Sequence, residues 1–193
     1  MSEGGYKIRN QAEVHFITFV PITIGIECVD VFTRKDYRDI VLESIKYCQD
    51  KKGLWLHAWC IMSNHLHLIA SAKNKDLSDV LRDFKKFTSK QIIKAITENK
   101  QESRREWMLE IFKKAGEANS RNSEYLPIVI GIWRQDNQPK ELYSPSFVYQ
   151  KLNYIHNNPV EAGIVDKPEE YLYSSARDYK KTKKCGLLDV AFI

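Results

Sequence analysis

The sequence predicts an α+β fold in which an antiparallel sheet of split βαβ order carries helices on one face. Two observations support this prediction: β-branched and aromatic segments alternate with segments of helical hydrophobic period, and two apolar runs are separated by a two-residue polar break. The chain has 193 residues, a length that favours one domain with its own hydrophobic core. We therefore expect a single domain over residues 1–193, with a surface insertion around residues 98–124.

The first part of the chain supplies a strand, a helix and a hairpin. Residues 13–24 (EVHFITFVPITI) are rich in β-branched and aromatic residues, which predicts the first strand. Apolar residues recur at three- and four-residue spacing over residues 35–51, which predicts an amphipathic helix. The apolar runs at residues 54–62 and 65–72 flank a Ser-Asn pair, which predicts two strands joined as a β-hairpin.

The second part of the chain supplies one long helix, one short helix and a last strand. Residues 76–97 have apolar side chains at helical period and charged side chains between them. A charge-dense stretch with one short helix over residues 104–114 follows, and residues 126–133 (LPIVIGIW) predict a fourth strand. The resulting order of strand, helix, strand, strand, helix and strand is that of a ferredoxin-like sheet.

A third helix is expected to follow this sheet. Ser144 is a suitable N-cap and the proline after it suits the first turn, so the helix should begin there. We expect it to end near Asn157, because Pro159 lacks an amide hydrogen and disfavours helical geometry in the residue before it.

Composition narrows the functional classes without choosing among them. The net charge of +5 permits a nucleic-acid partner but does not require one. The four cysteines include no C-x-x-C pair, which argues against a zinc finger and a secreted disulfide scaffold. No apolar run approaches the ~20 residues of a membrane span, and no signal peptide is evident at the N-terminus. We expect a cytoplasmic protein without a membrane partner.

Two histidines stand one residue apart at the start of the predicted third strand. Alternate residues of a strand project to the same face, so His65 and His67 should lie close enough to share a divalent cation. Two histidines that are simply polar residues on the exposed side of a half-buried strand, with no role in metal binding, would have the same spacing. The pair alone therefore does not decide between a metal site and ordinary surface.

Tyr154 and Asn158 are four residues apart in the third predicted helix and should share one face. The phenol and the amide could thus face the same site. A tyrosine on an amphipathic helix more often packs than reacts, and we interpret Tyr149 of the same helix as a packing residue.

Three sequence blocks occur in a characteristic order across most of the chain. They are residues 57–69 (HAWCIMSNHLHLI), 154–165 (YIHNNPVEAGIV) and 168–179 (PEEYLYSSARDY). With them, the chain resembles the HUH endonuclease transposases that use a single tyrosine, the insertion-sequence-200-like group, and especially the REP-associated tyrosine transposases. This resemblance implies a ferredoxin-like domain with a C-terminal catalytic helix.

The resemblance also implies an activity and the residues for it. It assigns His65 and His67 to a divalent metal, Tyr154 to the nucleophile and Asn158 to a third metal ligand, where relatives often have glutamine. The implied enzyme is a metal-dependent single-stranded DNA endonuclease and strand transferase that forms a 5′-phosphotyrosine intermediate on hairpin DNA. Its metal would be Mg²⁺ or Mn²⁺, of which Mn²⁺ accepts imidazole more readily. The active site would be built within one chain or across a homodimer.

Contacts to DNA are less distinct in the sequence. Basic residues of the N-terminal arm and of the second long helix, together with a Trp-Arg pair, are candidates for backbone contacts and base stacking. They are Lys7, Arg9, Lys85, Lys86, Lys90, Trp133 and Arg134. Each of these positions also suits an ordinary surface residue.

Three alternative interpretations remain at the level of sequence. A non-catalytic nucleic-acid-binding module of ferredoxin-like fold is one, although the aromatic signature of RNA-recognition domains is absent. A phosphoesterase with paired His-x-Ser/Thr motifs is another, but the chain has one paired-histidine site and its second member is histidine. A third keeps the transposase chemistry in a domesticated protein that processes chromosomal repeats.

Overall fold

A computed structural model describes residues 8–22, 29–74, 76–120, 131–134, 139–180 and 186–193. The strands lie in one antiparallel sheet of order β2-β3-β1-β4, which is the ferredoxin-like order that the sequence predicts. Their bounds are β1 His15–Phe19, β2 Leu54–Ile61, β3 Leu66–Ala72 and β4 Lys140–Glu141. The α-helices are α1 Lys35–Lys52, α2 Leu77–Glu98, α3 Arg105–Ser120, α4 Pro145–Glu161 and α5 Ala176–Lys180.

The two faces of the sheet are covered by different helices. Side chains of β3 alternate, so that Leu66 and Leu68 join the main hydrophobic core with α1 and α2. Ile69 points to the opposite face, where a smaller apolar cluster includes Phe16 of β1 and Ile155 of α4. The first two long helices therefore cover one face and α4 covers the other.

The predicted elements of the first half are confirmed closely. Helices α1 and α2 and the strands of the β2–β3 hairpin begin and end within one residue of the predicted bounds. Gly53 ends α1 in left-handed geometry, with φ of 68° and its N–H donated to the carbonyl of Cys48. Strand β1 is shorter than predicted, and residues 23–24 of that prediction lie outside the described residues.

The fourth strand does not lie where the sequence predicts it. Strand β4 is Lys140–Glu141 and pairs with β1, whereas residues 126–130 of the predicted strand lie outside the described residues. Trp133 makes an isolated bridge to Pro21, and the Ile22 N–H donates to the Ile132 carbonyl at 2.6 Å. Ile132 and Trp133 are buried in the core. Burial selects apolar residues in a short edge segment as it does in a strand, so the sequence pattern is the same for both.

Helix α3 has a core side as well as a surface side. It is longer than the predicted helix over residues 104–114, and it buries Met108 and Phe112 in the main core. The expected surface insertion around residues 98–124 therefore includes a helix that helps to hold the domain together. Just before this helix, the buried Glu102 carboxylate accepts hydrogen bonds from Arg34 and Arg104 at 2.7 and 3.1 Å.

Helix α4 continues past the proline that was expected to stop it. Ser144 caps its start by accepting a hydrogen bond from the Phe147 N–H at 3.3 Å, as predicted. The expected end near Asn157 is wrong, because the helix reaches Glu161 and includes Pro159. Pro159 lies in the last turn, so the loss of its N–H donor affects only the end of the helix, and it is buried together with Ile155. Packing thus outweighs the local preference, and Asn158 is helical.

Among the described helices, none combines the length and the apolar character required to cross a membrane.

Candidate active site

The two histidines of the hairpin lie together on the sheet face that α4 covers. Their ring centroids are 4.6 Å apart. His65 comes directly before β3 and is half-buried, whereas His67 lies within β3 and is 3% exposed. The period-two spacing therefore brings the two imidazoles together as predicted.

Each imidazole is held through its Nδ1 atom. The Asn64 side-chain oxygen accepts a hydrogen bond from Nδ1 of His65 at 2.6 Å. Nδ1 of His67 lies 2.9 Å from the Thr18 hydroxyl, because β1 and β3 pair Thr18 with His67. Partners at Nδ1 leave Nε2 of each imidazole as the ring nitrogen available to a ligand. Imidazoles that bind metals are oriented in this way.

Helix α4 brings Asn158 to the two histidines. Its side-chain nitrogen lies 3.3 Å from Nε2 of His67, and a hydrogen bond of the Asn158 side chain with His65 raises the pKa of that imidazole. An amide N–H can only donate, so Nε2 of His67 is the acceptor and its Nδ1–H donates to Thr18. A half-turn of the same amide would present its oxygen instead, which is the atom that a cation would bind.

The phenol of Tyr154 lies one helical turn before Asn158, against the histidine pair. Its ring centroid is 5.3 Å from that of His67 in an edge arrangement, and 5.9 Å from that of Phe16. The side chain is 48% exposed, so a ligand from solvent can reach it. The structure therefore brings all four sequence-predicted residues, His65, His67, Tyr154 and Asn158, into one site within a single chain.

A lysine that the sequence analysis did not single out also borders this site. The Lys151 ammonium lies over three aromatic rings, at 5.3 Å from the Tyr154 centroid, 5.0 Å from Phe16 and 5.6 Å from Phe147. Burial lowers the pKa of Lys151, and the nearby charge of Lys140 lowers it further. The sequence signal for Lys151 was its position three residues before Tyr154, which places the two side chains on one side of a helix.

Burial favours the neutral form of both histidines by lowering their pKa values. It lowers the pKa of His67 to about 3, with smaller contributions from the charges of His65 and Lys151. Burial also lowers the pKa of His65, while the hydrogen bond with Asn158 acts in the opposite direction. Neutral imidazole is the form that binds a metal, so a cation would not have to displace a proton here at neutral pH.

The other three histidines are tied to structural partners. His15 Nδ1 lies 2.8 Å from the Glu13 carbonyl, and His57 lies between Ser71 and the Ala191 carbonyl. His156 of α4 meets the buried Ser175 hydroxyl at 2.9 Å.

Ser175 connects helix α4 to strand β2. Its hydroxyl accepts a hydrogen bond from the Trp59 N–H at 3.0 Å while it also contacts His156. Tyr171, four residues earlier in the chain, is also joined to β2, because its hydroxyl donates a hydrogen bond to the Ile61 carbonyl at 2.8 Å. The third sequence block, residues 168–179, thus positions the helix that bears Tyr154.

Trp133 is not a DNA-contact residue, contrary to the sequence prediction. It is 2% exposed and packs against Phe19, Phe32 and Phe84, with centroid distances of 5.6, 5.5 and 6.1 Å. Its indole N–H donates to the Thr88 hydroxyl at 2.7 Å. A tryptophan buried to this extent cannot stack on a nucleic-acid base. Its neighbours come from distant parts of the chain, which local sequence does not reveal.

The candidate DNA contacts of α2 lie apart from the histidine pair. Lys85, Lys86 and Lys90 belong to α2, which packs on the other face of the sheet. The Lys85 ammonium donates to the Arg134 carbonyl at 2.6 Å. Arg9 is exposed, and Lys7 lies outside the described residues. The structure does not bring the three lysines of α2 to the candidate active site.

No three histidine, cysteine or carboxylate side chains converge on a possible metal site within the part of the chain that the structure describes. A metal here would therefore bind the two imidazoles and the Asn158 amide, and would take its other ligands from substrate or water. Two nitrogen donors with one amide oxygen suit Mn²⁺ better than Mg²⁺, which prefers oxygen.

Comparisons with known proteins agree with this architecture. The family model described as "Transposase IS200 like" matches residues 13–119, a range that includes both histidines and ends before α4. A solved structure described as a REP-associated tyrosine transposase bound to a REP hairpin superposes with a TM-score of 0.58. That similarity covers 100% of this chain and 92% of the other at 19% identity, and it shows a shared fold. No curated protein matches the chain.

Proposed function

The chain belongs to the IS200-like transposases, and on this basis we propose that it is a metal-dependent endonuclease and strand transferase for single-stranded hairpin DNA. Membership of the family implies cleavage and joining of DNA. The observation that supports the finer proposal is the contact of Tyr154 with His67, beside an asparagine that bridges both histidines. A nucleophile and a set of metal-binding atoms thus lie together.

Tyr154 is the proposed nucleophile. Its phenolic oxygen forms a bond to the scissile phosphorus, and the bond from phosphorus to the 3′-oxygen breaks. The phenolic proton leaves to solvent, and the departing 3′-oxygen takes up a proton. The products are a 5′-phosphotyrosine and a free 3′-hydroxyl. Attack by another 3′-hydroxyl reverses the step, so strands rejoin without a nucleotide cofactor.

The residues present suit a divalent cation. His65 and His67 would bind it through Nε2, and Asn158 would bind it through the amide oxygen. When bound, the cation would withdraw electron density from the phosphate and favour the phenolate form of a group whose pKa is ordinarily near 10. Asn64 and Thr18 would hold the imidazoles in the required tautomer.

Hairpin DNA is the proposed substrate. The solved structure of similar fold is described as bound to a REP hairpin. Tyr154 is 48% exposed on an α4 surface that also presents Lys151, so a flexible strand can reach the phenol from solvent.

The test is the formation of a covalent protein–DNA adduct. The protein is incubated with labelled single-stranded hairpins from the flanks of its own gene, with Mn²⁺ or Mg²⁺, and adducts are resolved under denaturing conditions. We expect an adduct with the wild type and with Tyr149→Phe, a matched exposed tyrosine of the same helix. Tyr154→Phe and His65→Ala should form none.

Two outcomes would count against the proposal. Tight hairpin binding without any adduct would favour a non-catalytic binding module, and an adduct that persists in Tyr154→Phe would assign the nucleophile elsewhere. Because Tyr154 and His67 meet within one chain, a mixture of the Tyr154→Phe and His65→Ala proteins should also form no adduct. An active mixture would show that the site is shared between chains in a homodimer.

A further inference from the structure

A row of three side chains leads away from Tyr154 along α4 toward the start of that helix. We call Tyr143, Phe147 and Lys151 the α4 row. Lys151 Nζ lies 5.3 Å from the Tyr154 ring and 5.6 Å from the Phe147 ring, and the Phe147 and Tyr143 rings are 5.4 Å apart. The four-residue spacing places Phe147 and Lys151 on one side of the helix, and Tyr143, which precedes the Ser144 N-cap, joins them through its contact with the Phe147 ring. The row is therefore continuous with the proposed nucleophile.

The aromatic end of the row is open to solvent. Tyr143 is 81% exposed, the largest exposed fraction among the large hydrophobic side chains of the described residues. Phe147 is half-buried and packs partly on the smaller apolar cluster. Packing thus accounts for one face of Phe147 but does not account for Tyr143.

Among the described residues, the cationic end of the row has no carboxylate as an ion-pair partner. The ion pairs of the described residues include none to Lys151. The charged group that acts on it most strongly is another lysine, Lys140 of β4. The two positive charges are complementary to a phosphodiester. The aromatic rings beside Lys151 hold its ammonium group near Tyr154.

We propose that the α4 row binds the unpaired nucleotides next to the cleavage position, with Lys151 on a backbone phosphate and the Tyr143 and Phe147 rings against bases. This inference rests on the proposed function, since it names the part of the DNA that reaches Tyr154. Positive charge next to aromatic surface is the combination that binds single-stranded nucleic acid independently of its sequence. Stacking on Tyr143 requires an exposed base face, which the unpaired flank of a hairpin offers and its paired stem does not.

The test measures DNA binding without metal, so that it does not depend on cleavage. The probes are one hairpin with single-stranded flanks on both sides and the same hairpin without flanks. The variants are Tyr143→Ala and Lys151→Met, which keeps the methylene stem. The matched controls are Tyr149→Ala, another exposed residue of α4, and Lys113→Met, an exposed lysine of α3. Affinity is measured by fluorescence anisotropy at several salt concentrations.

The two variants should weaken binding in different ways. Tyr143→Ala should lower affinity for the flanked hairpin by about 5- to 100-fold without changing the salt dependence, because a stacking contact is lost. Lys151→Met should reduce the slope of log K against log salt by about 0.7, the value for one phosphate contact with a single strand. Both should bind the bare hairpin as the wild type does, and both controls should behave as wild type on both probes.

The result that would overturn the inference is wild-type affinity of both variants for the flanked hairpin. An equal loss on bare and flanked hairpins would also overturn it, since the row would then not act on unpaired nucleotides. Both results leave the proposed function standing. By contrast, a wild-type protein that binds neither probe would contradict the proposed function itself.

Discussion

The substitution Thr18→Val tests whether the hydroxyl of Thr18 orients a metal ligand. The register of β1 and β3 places Thr18 beside His67, with its hydroxyl 2.9 Å from Nδ1. Valine keeps the β-branched shape that a strand favours and removes the hydrogen-bond acceptor. The imidazole of His67 would then lose the partner that holds its tautomer and its orientation.

The expected magnitudes follow from the burial of His67. Loss of an outer partner of a metal-binding histidine typically lowers metal affinity by about 10- to 100-fold. His67 is 3% exposed, so its Nδ1–H would be left without a partner away from water, which costs about 1–3 kcal/mol of the free energy of unfolding. At limiting Mn²⁺ the rate of adduct formation should fall with metal occupancy, and excess Mn²⁺ should restore it.

Titration calorimetry with Mn²⁺ and urea denaturation give the two quantities. The matched control is Thr88→Val, which removes a buried hydroxyl that accepts from Trp133 at 2.7 Å on the other side of the sheet. It should lower stability without changing metal affinity. The reasoning fails if Thr18→Val binds Mn²⁺ as tightly as the wild type, provided that His65→Ala abolishes binding.

Three further predictions concern stability. Trp133→Ala should lower the free energy of unfolding in urea by about 3–5 kcal/mol because the side chain is 2% exposed; a loss below about 1 kcal/mol would mean that the ring is not enclosed. Ser175→Ala should lower the free energy of unfolding by about 1–3 kcal/mol and slow adduct formation, since His156 loses the hydrogen bond that connects it to β2 through Ser175. Wild-type stability together with a wild-type rate of adduct formation would argue against a role of Ser175 in positioning α4. Burial lowers the pKa values of His57, of His67 to about 3 and of His156 to about 4. The unfolded chain therefore binds more protons below pH 6.5, and stability should fall as pH decreases through that value, by at most about 1.4 kcal/mol per pH unit for each histidine; a flat profile between pH 7.5 and 5.5 would contradict this.

Local patterns predicted the elements that bear the site. Period-two spacing placed His65 and His67 on one face, and four-residue spacing placed Tyr154 one turn from Asn158, because both rules depend only on backbone geometry within one element. The end of α4 was predicted incorrectly for a related reason. The rule for proline describes an isolated helix, whereas Pro159 lies in the last turn and is buried.

The partners of the predicted residues could not be found in this way. Thr18 is 49 residues from His67 in the chain and meets it only through strand register. Trp133 ends an apolar run in the sequence, but that run does not reveal its neighbours, which come from β1, α2 and the turn before α1. Lys151 gains significance only because the rings of Phe16 and Tyr154 converge on it.

By itself, the sequence determined α1, α2, β2 and β3, their order and the residues that share a face within each, since these follow from periodicity and caps, whereas it misplaced β4. The tertiary structure decided which faces meet. Helix α4 lies on the sheet face that holds His67 because Ile155 and the apolar residues of that face bury one another. That packing brings the Tyr154 and Asn158 side chains to two histidines about 90 residues away in the chain, and no local pattern specifies a contact between surfaces so far apart.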